Sequence, residues 1–376
     1  MVVKSGVGAA PAGFRETTLR TRVWLGSLSA LAVVFLQGFF HLNGAFAAMS
    51  KHAEEGRFSN GKPLYHVYMG YPVVDKMLAL SVSFWDPVCH QSQVVKLLSI
   101  TLSASLQSLG VFALVESLRL GKKHIVLRWC GLNVFCWQYI GAAIFIPLYF
   151  VVEVENHFAG KATDPAVPYG QAKALLPASV LTIIHLYRMV YFPPASITTS
   201  QHQAFMAVWQ LAPFFCLATL LAIASCFSGS TQSRNADARW IKITYLVYGL
   251  LSAVAHIGVH IALSTSHDPS VSQAAAYVPR FDTLWRRDTA ASVFIEKSMF
   301  FLQCDYIIIV IASGVYVNAI LEGLYGKFTL VGWFGSLMAI IAACHAFSLG
   351  FVYAAILYIR EDALRVRFSG QEQKSR

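Results

Sequence analysis

Charged residues are scarce in this 376-residue sequence. Asp, Glu, Lys and Arg together make up 13% of the chain, whereas hydrophobic residues reach 56%. A soluble domain carries about 25% charged residues, so the composition excludes a globule that faces water on all sides. The net charge of +10 does not indicate a nucleic-acid partner. The Lys and Arg residues stand in short clusters beside apolar runs, which is typical of the cytoplasmic loops of membrane proteins.

The common nucleotide, hydrolase and metal motifs are also missing. The chain contains no GxxxxGKS/T, GxGxxG, HExxH or GxSxG, which disfavours phosphate-loop transport, nucleotide redox chemistry and the common hydrolase mechanisms. It has no DDxxD or NDxxD run to hold magnesium on a diphosphate, which disfavours membrane prenyltransferases and metal-dependent terpene synthases. Its seven cysteines form no CxxC pair, so neither a disulfide framework nor a zinc site is indicated. We expect no metal and no cofactor.

Long apolar runs make up most of the chain. A bilayer core about 30 Å thick needs roughly 20 apolar residues in a helix. Runs of this length predict eight spans, at about 23–45, 94–118, 126–151, 172–192, 202–227, 240–263, 299–321 and 330–359. A shorter run at 73–90, interrupted by Asp75, Asp86 and Pro87, is a ninth span, a re-entrant piece or an interfacial helix. The predicted fold is an all-α polytopic transmembrane helix bundle.

The basic residues set the expected orientation. With eight spans and the N-terminus inside, the segments assigned to the cytoplasm hold more Lys and Arg than the opposite side, as the positive-inside rule requires. We therefore expect a multi-pass protein of the endoplasmic reticulum membrane with both termini in the cytoplasm. Its expected parts are a leader at 1–22, a single transmembrane domain at 23–359 and a tail at 360–376. The run that begins at Val23 is long enough to span a bilayer, which favours a retained anchor over a removed signal peptide.

A few carboxyl groups lie inside or beside these runs. Asp305 lies near the cytoplasmic start of the seventh span, where an ionisable group costs about 2.5–3.5 kcal/mol even on the mildest insertion scale. Glu116 lies at the cytoplasmic end of the second span, so we expect both carboxyl groups at one membrane level and in one cavity. The alternatives are a salt bridge from Glu116 to Arg119 at i, i+3 and a structural hydrogen bond between helices for Asp305. Glu153 and Asp86 are expected near the opposite face.

Two histidines have a spacing that metal ligands can have. His256 and His260 share a helix face at i, i+4, and such a pair can ligate a metal or haem. The sequence supplies no obvious third ligand, so we favour a hydrogen-bonded pair inside the bundle.

Six local strings together resemble a known family. They are SFWDPV at 83–88, LVESLR at 114–119, YIGAAIFIPLYF at 139–150, ALLPASVLTIIHLYRMVYFPP at 174–194, AVWQLAPFF at 207–215 and FLQCDYI at 301–307. In this order and with these spacings, they resemble the fungal membrane-bound terpene cyclases of meroterpenoid pathways, of the type found in ascofuranone and macrophorin biosynthesis. The resemblance covers about residues 72–320.

The resemblance implies an enzyme of secondary metabolism that needs no metal. Such cyclases protonate a terminal epoxide or olefin of a prenylated, farnesyl-type substrate, and the resulting carbocation closes rings. Buried carboxyl groups favour their neutral form, so we expect Asp305 as the proton donor and Glu116 as the residue that tunes or replenishes it. We expect four further residues to line the cavity and supply aromatic faces or polar contacts, namely Trp209, Gln210, Tyr139 and Tyr149. Glu153 and Asp86 are secondary candidates.

Two other classes of membrane protein stay open from the residues alone. A small-molecule transporter should show inverted repeats or helices broken at the midplane; we find no repeat, although Pro147, Pro177 and Pro213 permit kinks. A receptor-like or structural membrane protein is the third reading. The expected partners of the enzyme are a lipophilic small-molecule substrate and the lipid bilayer. The substrate and the oligomeric state do not follow from the sequence.

Overall fold

The computed structural model describes residues 14–159, 162–227, 235–286 and 291–375. Across these residues the chain is helical, with an isolated bridge between Arg57 and Pro63 and no strand. Six helices are long and apolar enough to cross a membrane, and a pair bent by 71° would make a seventh. The prediction of an all-α membrane bundle is therefore confirmed, although the count of eight spans is not. Most of the expected leader, residues 1–13, lies outside the described residues.

The helices follow one another along the chain with short connections. The first half contains α1 (Phe14–Ala32), a π-helical turn (Val33–Gly38), α2 (Phe39–Leu42), α3 (Ala45–Glu55), α4 (Pro72–His90), α5 (Gln93–Leu118), α6 (Ile125–Arg128), α7 (Cys130–Ile140) and α8 (Ala142–Phe158). The second half contains α9 (Tyr169–Ser179), a π-helical turn (Val180–Ile184), α10 (His185–Tyr191), α11 (Thr199–Gln210), α12 (Ala212–Ser225), α13 (Ala236–Thr265), α14 (Gln273–Tyr277), a 3₁₀ turn (Phe281–Trp285), α15 (Ala291–Tyr325), α16 (Leu330–Phe347) and α17 (Leu349–Ser375).

Ion pairs gather at one end of the bundle, which we call the charged end. Arg20 near the start of α1 lies 2.5 Å from Glu322 near the end of α15, so these two helices run antiparallel. Arg119, which follows α5, lies 2.7 Å from Glu361 of α17. Arg365 of α17 lies 2.8 Å from Asp237 at the start of α13. The charged end therefore contains the starts of α1 and α13 and the ends of α5 and α15.

The segment 126–151, expected to be one span, folds back on itself. The backbone N–H of His124 donates to the Asn156 side chain at 3.3 Å, so the segment enters and leaves at the charged end. Between α7 and α8 stands Gly141 with φ +127°, where a Cβ would lie 2.9 Å from a methyl carbon of Leu36. Only glycine adopts such a turn readily. An apolar run predicts burial and not direction, which is why the sequence did not reveal the reversal.

The expected last span, 330–359, is two helices. Ser348, with φ +122°, separates α16 from α17. The Trp333 ring of α16 lies 5.8 Å from Trp24 of α1, at the charged end, whereas the carbonyl of His345 near the other end accepts from His256 at 2.8 Å. The helix α17 then returns to the charged end. Thus the start of α1 and the second half of α17 lie on the same side of the bundle.

The ambiguous segment 73–90 forms the 19-residue helix α4, which is not one of the six long apolar helices. Asp86 accepts from the amide of Gln203 on α11 at 3.1 Å, and the rings of His90 and His202 lie 5.0 Å apart. The helix thus packs on the first arm of the bent α11–α12 pair, at the end of the bundle opposite the charged end.

This topology predicts the sidedness of the connections. A glycosylation acceptor or epitope inserted in the 119–124 connection should lie on the same side of the membrane as a C-terminal tag, and one inserted at 59–62 on the opposite side. The physical reason is that the α6–α8 hairpin begins and ends at the charged end, while α16 and α17 are two crossings, so an even number of crossings separates 119–124 from the C-terminus. Protease protection of the tags in microsomes would measure this. A tag at 119–124 on the side opposite the C-terminus would contradict this topology.

Candidate active site

A cavity lies between α4, α5, α7, the bent α11–α12 pair and α15. It reaches from the end opposite the charged end, which we call the cavity end, along α5 as far as Leu114. It contains about 1470 Å³ of space between atoms, including the part open to the surroundings. Aromatic and aliphatic side chains dominate its wall, and the polar groups among them include Asp305 and the amides of Gln37, Gln107, Gln138 and Gln210. A mainly apolar wall with a few polar groups suits a lipophilic small molecule.

Asp305 is the acid on this wall. It is 4% exposed, and its Oδ1 accepts a hydrogen bond from the backbone N–H of Ala143 at 2.7 Å. Ala143 lies in the first turn of α8, where backbone N–H groups have no partner within the helix. The turn at Gly141 brings that first turn to Asp305. Within the described residues, no Lys, Arg or His lies at ion-pair distance from Asp305, so its contact is with a neutral donor.

Four rings form a row along the cavity, which we call the aromatic row: Phe301, Phe84, Trp85 and Trp209. The ring centroids of Phe301 and Phe84 lie 5.6 Å apart. Those of Phe84 and Trp85 lie 5.2 Å apart, and those of Trp85 and Trp209 lie 5.1 Å apart. Phe301 precedes Asp305 by one helical turn, and Trp209 directly precedes Gln210. The row therefore connects the acid with the opposite wall of the cavity.

Three of the four residues predicted to line the cavity do so, namely Trp209, Gln210 and Tyr139. Tyr149 instead lies behind the wall, fully buried, with its ring 5.7 Å from that of Trp137. The role of these residues toward a substrate stays a prediction.

The string SFWDPV includes two cavity residues that were not among the predicted site residues. We singled out Asp86 because of its charge, but Asp86 contacts Gln203 and His90 and not the cavity. Its neighbours Phe84 and Trp85 line the wall. Aromatic residues in a string that carries the resemblance were the available clue to them.

Glu116 lies at the charged end and does not share the cavity with Asp305. It binds Arg119 at 2.9 Å, contacts Arg360, and lies 2.6 Å from His157 Nε2. The salt bridge with Arg119, which the sequence left as the alternative, is therefore present. The predicted common cavity is wrong, because the hairpin at α7–α8 reverses the direction that we had assigned to α15.

The distance along α15 shows how far apart the two acids are. Tyr316 donates to Glu153 at 2.6 Å, and Arg360 contacts both Glu153 and Glu116, so Tyr316 marks the level of the ion-pair network. Asp305 precedes Tyr316 by eleven residues. At 1.5 Å per residue, this corresponds to about 16 Å along the helix axis.

The network at the charged end is ionic and fully buried. Burial opposes the ionisation of Glu361, but the guanidinium groups of Arg119 and Arg365 outweigh it, so the pKa of Glu361 lies below its usual range. Donor atoms of Glu116, Glu153 and His157 lie within 4.8 Å of one another, as metal ligands do. However, both carboxylates already contact arginines. Guanidinium groups therefore supply the positive charge that a metal ion would bring.

The two histidines singled out in the sequence touch through their rings. The centroids of His256 and His260 lie 4.3 Å apart, and the hydrogen bond of His256 goes to the backbone carbonyl of His345 at 2.8 Å. His345 also places its ring 4.9 Å from that of His260. The pair thus packs against α16, outside the cavity wall.

Comparison with known proteins bears directly on this arrangement. The CtvD domain model matches residues 21–364. The chain belongs to the CtvD domain family. It is 26% identical over 313 residues to a protein named terpene cyclase DEP1 from Fusarium langsethiae, covering 78% of this chain and 84% of that protein. The DEP1 protein of Alternaria brassicicola is 24% identical with the same coverage, and terpene cyclase ascI of Acremonium egyptiacum is 21% identical over 321 residues, 81% of each chain.

The resemblance to fungal terpene cyclases is thus confirmed over about four fifths of the chain. It extends beyond the residues 72–320 that the six strings covered, since the family match includes α1 from residue 21 onward and α17 up to residue 364. No solved structure matches the chain.

The ion-pair network makes a first prediction for the site. Glu116→Gln should lower the melting temperature of the purified protein strongly, because breaking a buried ion pair leaves an uncompensated charge and costs about 3–5 kcal/mol. Thermal unfolding in detergent, followed by size-exclusion fluorescence, measures this.

Glu155→Gln is the matched control. Glu155 pairs with Arg22 at a partly exposed position, where solvent screening makes an ion pair weak. The melting temperature of the Glu155→Gln variant should therefore differ little from that of the native chain. Equal melting of Glu116→Gln and the native chain would show that Glu116 is not a structural anion.

Proposed function

We propose that this chain, an enzyme of the terpene cyclase type, starts ring closure on a prenylated, farnesyl-type meroterpenoid by protonating its terminal epoxide or olefin with Asp305. The observation that carries the proposal is the position of Asp305: a buried carboxyl group without a basic partner in the described part of the chain, on the wall of an aromatic cavity. Desolvation disfavours the charged form of an acid, and a neutral carboxylic acid can donate a proton.

The geometry supports different roles for the two carboxyl oxygens of Asp305. Oδ1 accepts from the Ala143 N–H, which leaves Oδ2 as the oxygen that carries the transferable proton. Its O–H bond breaks as a bond forms to the epoxide oxygen or the olefin carbon. The epoxide C–O bond opens, and the π electrons of the next double bond form a C–C bond to the cationic carbon.

The cascade ends when a carbon next to the last cation loses a proton and a double bond forms. The Asp305 carboxylate is the base for this proton or receives its equivalent from solvent, so the product is an isomer of the substrate and no co-reactant is consumed. During the cascade the aromatic row offers π faces to the moving positive charge. The apolar wall excludes water that would otherwise trap the cation.

The distribution of the basic residues supports an orientation for the enzyme. The charged end includes Arg20, Arg22, Arg119, Lys122, Lys123, Arg128, Lys173, Arg239, Lys242, Lys327, Arg360, Arg365 and Arg367. Fewer lie at the cavity end: Lys51, Arg57, Lys62, Lys76, Lys96, Arg188, Arg280, Arg286 and Lys297. The positive-inside rule therefore favours a cytoplasmic charged end, with the leader 1–22 and the tail 360–376 on that side of a single membrane domain. The endoplasmic reticulum stays the proposed membrane.

Asp305→Asn tests the acid. The asparagine Oδ1 can still accept from Ala143, so folding should survive, whereas the transferable proton is gone. Loss of a general acid commonly reduces the rate about 10²–10⁴-fold. We expect a loss of that size in the turnover of a farnesylated phenol and its terminal epoxide, measured by product chromatography in microsomes.

Asp86→Asn is the control for this variant, because Asp86 is a buried acid whose partners are outside the cavity. It should keep most of the turnover per folded molecule. Near-normal cyclisation by well-expressed Asp305→Asn would eliminate Asp305 as the donor.

Trp209 tests the aromatic row. A cation–π contact is worth about 0.5–2 kcal/mol, so Trp209→Leu should slow turnover about 2- to 30-fold and increase products in which water has trapped the cation. Trp209→Phe keeps a π face and should lie closer to the native chain. The product ratios test this role. Identical product profiles for both variants and the native protein would show that Trp209 does not stabilise the cation.

A further inference from the structure

Three glutamines on the cavity wall have unsatisfied amide groups. Gln107 lies on α5, Gln138 on α7 and Gln210 on α11. Gln107 Nε2, Gln138 Oε1 and Gln210 Oε1 are buried and have no hydrogen-bond partner among the described residues. Gln210 itself is 1% exposed. Leaving a buried polar atom unpaired is costly, so a ligand that pairs with these atoms gains affinity.

Two fully buried glutamines outside the cavity, Gln203 and Gln303, differ in this respect. Gln203 donates to Asp86 and to a backbone carbonyl and accepts from the N–H of Tyr65. Gln303 donates to three backbone carbonyls of the 275–278 segment. Gln273, also outside the cavity, has an unpaired Oε1, but its Nε2 donates to the His260 carbonyl and to Ser264.

The helix contacts bring the first two amides to one level. Gly110 of α5 approaches Val134 of α7 so closely that a Cβ would lie 3.6 Å from the valine methyl carbon. The two helices run antiparallel, since α5 ends and the hairpin begins at the charged end. Gln107 precedes Gly110 by about a turn and Gln138 follows Val134 by about a turn. Both amides consequently lie one turn nearer the cavity end.

The third amide reaches the same level from α11. The rings of Phe135 on α7 and Phe214 on α12 lie 5.6 Å apart. Gln138 follows Phe135 by three residues, and Gln210 precedes Phe214 by four, across the bend at Leu211. Since α12 returns toward the charged end, Gln138 and Gln210 both lie on the cavity side of this ring contact.

We propose that Gln107, Gln138 and Gln210 form a subsite that binds the ring head group of the substrate, a ring carrying at least two oxygen functions of which one is a free hydroxyl. This rests on the proposed function. Rotation by half a turn exchanges amide nitrogen and oxygen, so each glutamine can donate or accept. A hydroxyl group does both and satisfies either arrangement.

The aromatic row gives this subsite its relation to Asp305. One end of the row, Trp209, directly precedes Gln210, and the other end, Phe301, lies one turn before Asp305. A substrate with its ring at the glutamines and its apolar chain along the row places the end of that chain at the acid. Protonation of the chain terminus requires this arrangement.

The test uses an inert ligand and measures binding. A farnesyl-type chain with a saturated terminus, attached to a dihydroxylated ring, cannot be cyclised; its di-O-methyl ether cannot donate hydrogen bonds. We expect the native full-length chain in detergent to bind the dihydroxy ligand at least about 10-fold more tightly than the ether, as followed by quenching of tryptophan fluorescence. Gln107→Met, Gln138→Met and Gln210→Met should each reduce this ratio several-fold, mainly by weakening binding of the dihydroxy ligand.

Leu106→Met is the control, because it changes an apolar residue of the same wall and should preserve the ratio. Asp305→Asn should preserve it as well, which separates the two proposals: a failed acid assignment changes turnover and leaves the ratio intact. The subsite is refuted if the native chain binds both ligands equally or binds neither. It is refuted too if all three folded glutamine variants keep the native preference.

Discussion

Arg119 and Arg360 hold the charged end of the bundle together. Between them they contact Glu116, Glu153 and Glu361, and so join α5, α8 and α17 in a region without access to water. Charges in such a place are tolerated only when they are paired and hydrogen-bonded. The hydroxyls of Tyr316 and Tyr353 complete the shell of Glu153 at 2.6 and 3.1 Å. Because α5 and α8 are fixed at this end, the face that α5 presents to the cavity and the Ala143 N–H of α8 that holds Asp305 are fixed too.

The partners of each carboxyl group explain why Asp305 is chemically different from the buried acids of the charged end. Glu116, Glu153 and Glu361 each contact at least one guanidinium group, whereas the described contact of Asp305 is with a backbone N–H. An acid held by a cation keeps its negative charge, and one held by a neutral donor in an apolar wall can exist as the neutral acid. The difference in partners separates the structural carboxylates from the candidate proton donor.

Sequence patterns predicted the parts of the structure that depend on local composition. The helical class, the long apolar helices, and the cavity positions of Asp305, Trp209, Gln210 and Tyr139 follow from hydropathy and from strings that carry the resemblance. The direction in which each helix runs through the bundle did not follow from these patterns. Gly141 reverses the chain within an apolar run, and this one reversal changed the side assigned to every later helix up to Ser348. The reversal also brings Arg239, near the start of α13, to the charged end.

Ion pairs between residues that are far apart in the chain could not be predicted from the sequence either. Glu116 and Arg360 are 244 residues apart in the chain, and no local pattern indicates that they meet. The salt bridge from Glu116 to Arg119 at i, i+3 could be predicted from the sequence and is present. It is only one of the contacts of Glu116 at the charged end. Gln107 and Gln138 were not predicted as site residues for a related reason. A neutral amide in an apolar helix has no distinctive spacing. Whether its hydrogen-bonding groups are satisfied becomes clear only when the surrounding residues are known.

The separation of the two ends matters for carbocation chemistry itself. A permanent carboxylate beside a carbocation would capture it or remove its proton early, and a permanent cation would repel it. The structure keeps the guanidinium–carboxylate network about 16 Å along α15 from Asp305, behind a wall of rings and aliphatic side chains. A charge that appears in the cavity during a reaction therefore meets π faces and neutral amides first. The buried ion pairs of this bundle lie at the end where no chemistry is proposed, whereas the ion pairs at the cavity end, such as Lys76–Glu54 and Arg280–Asp282, are exposed.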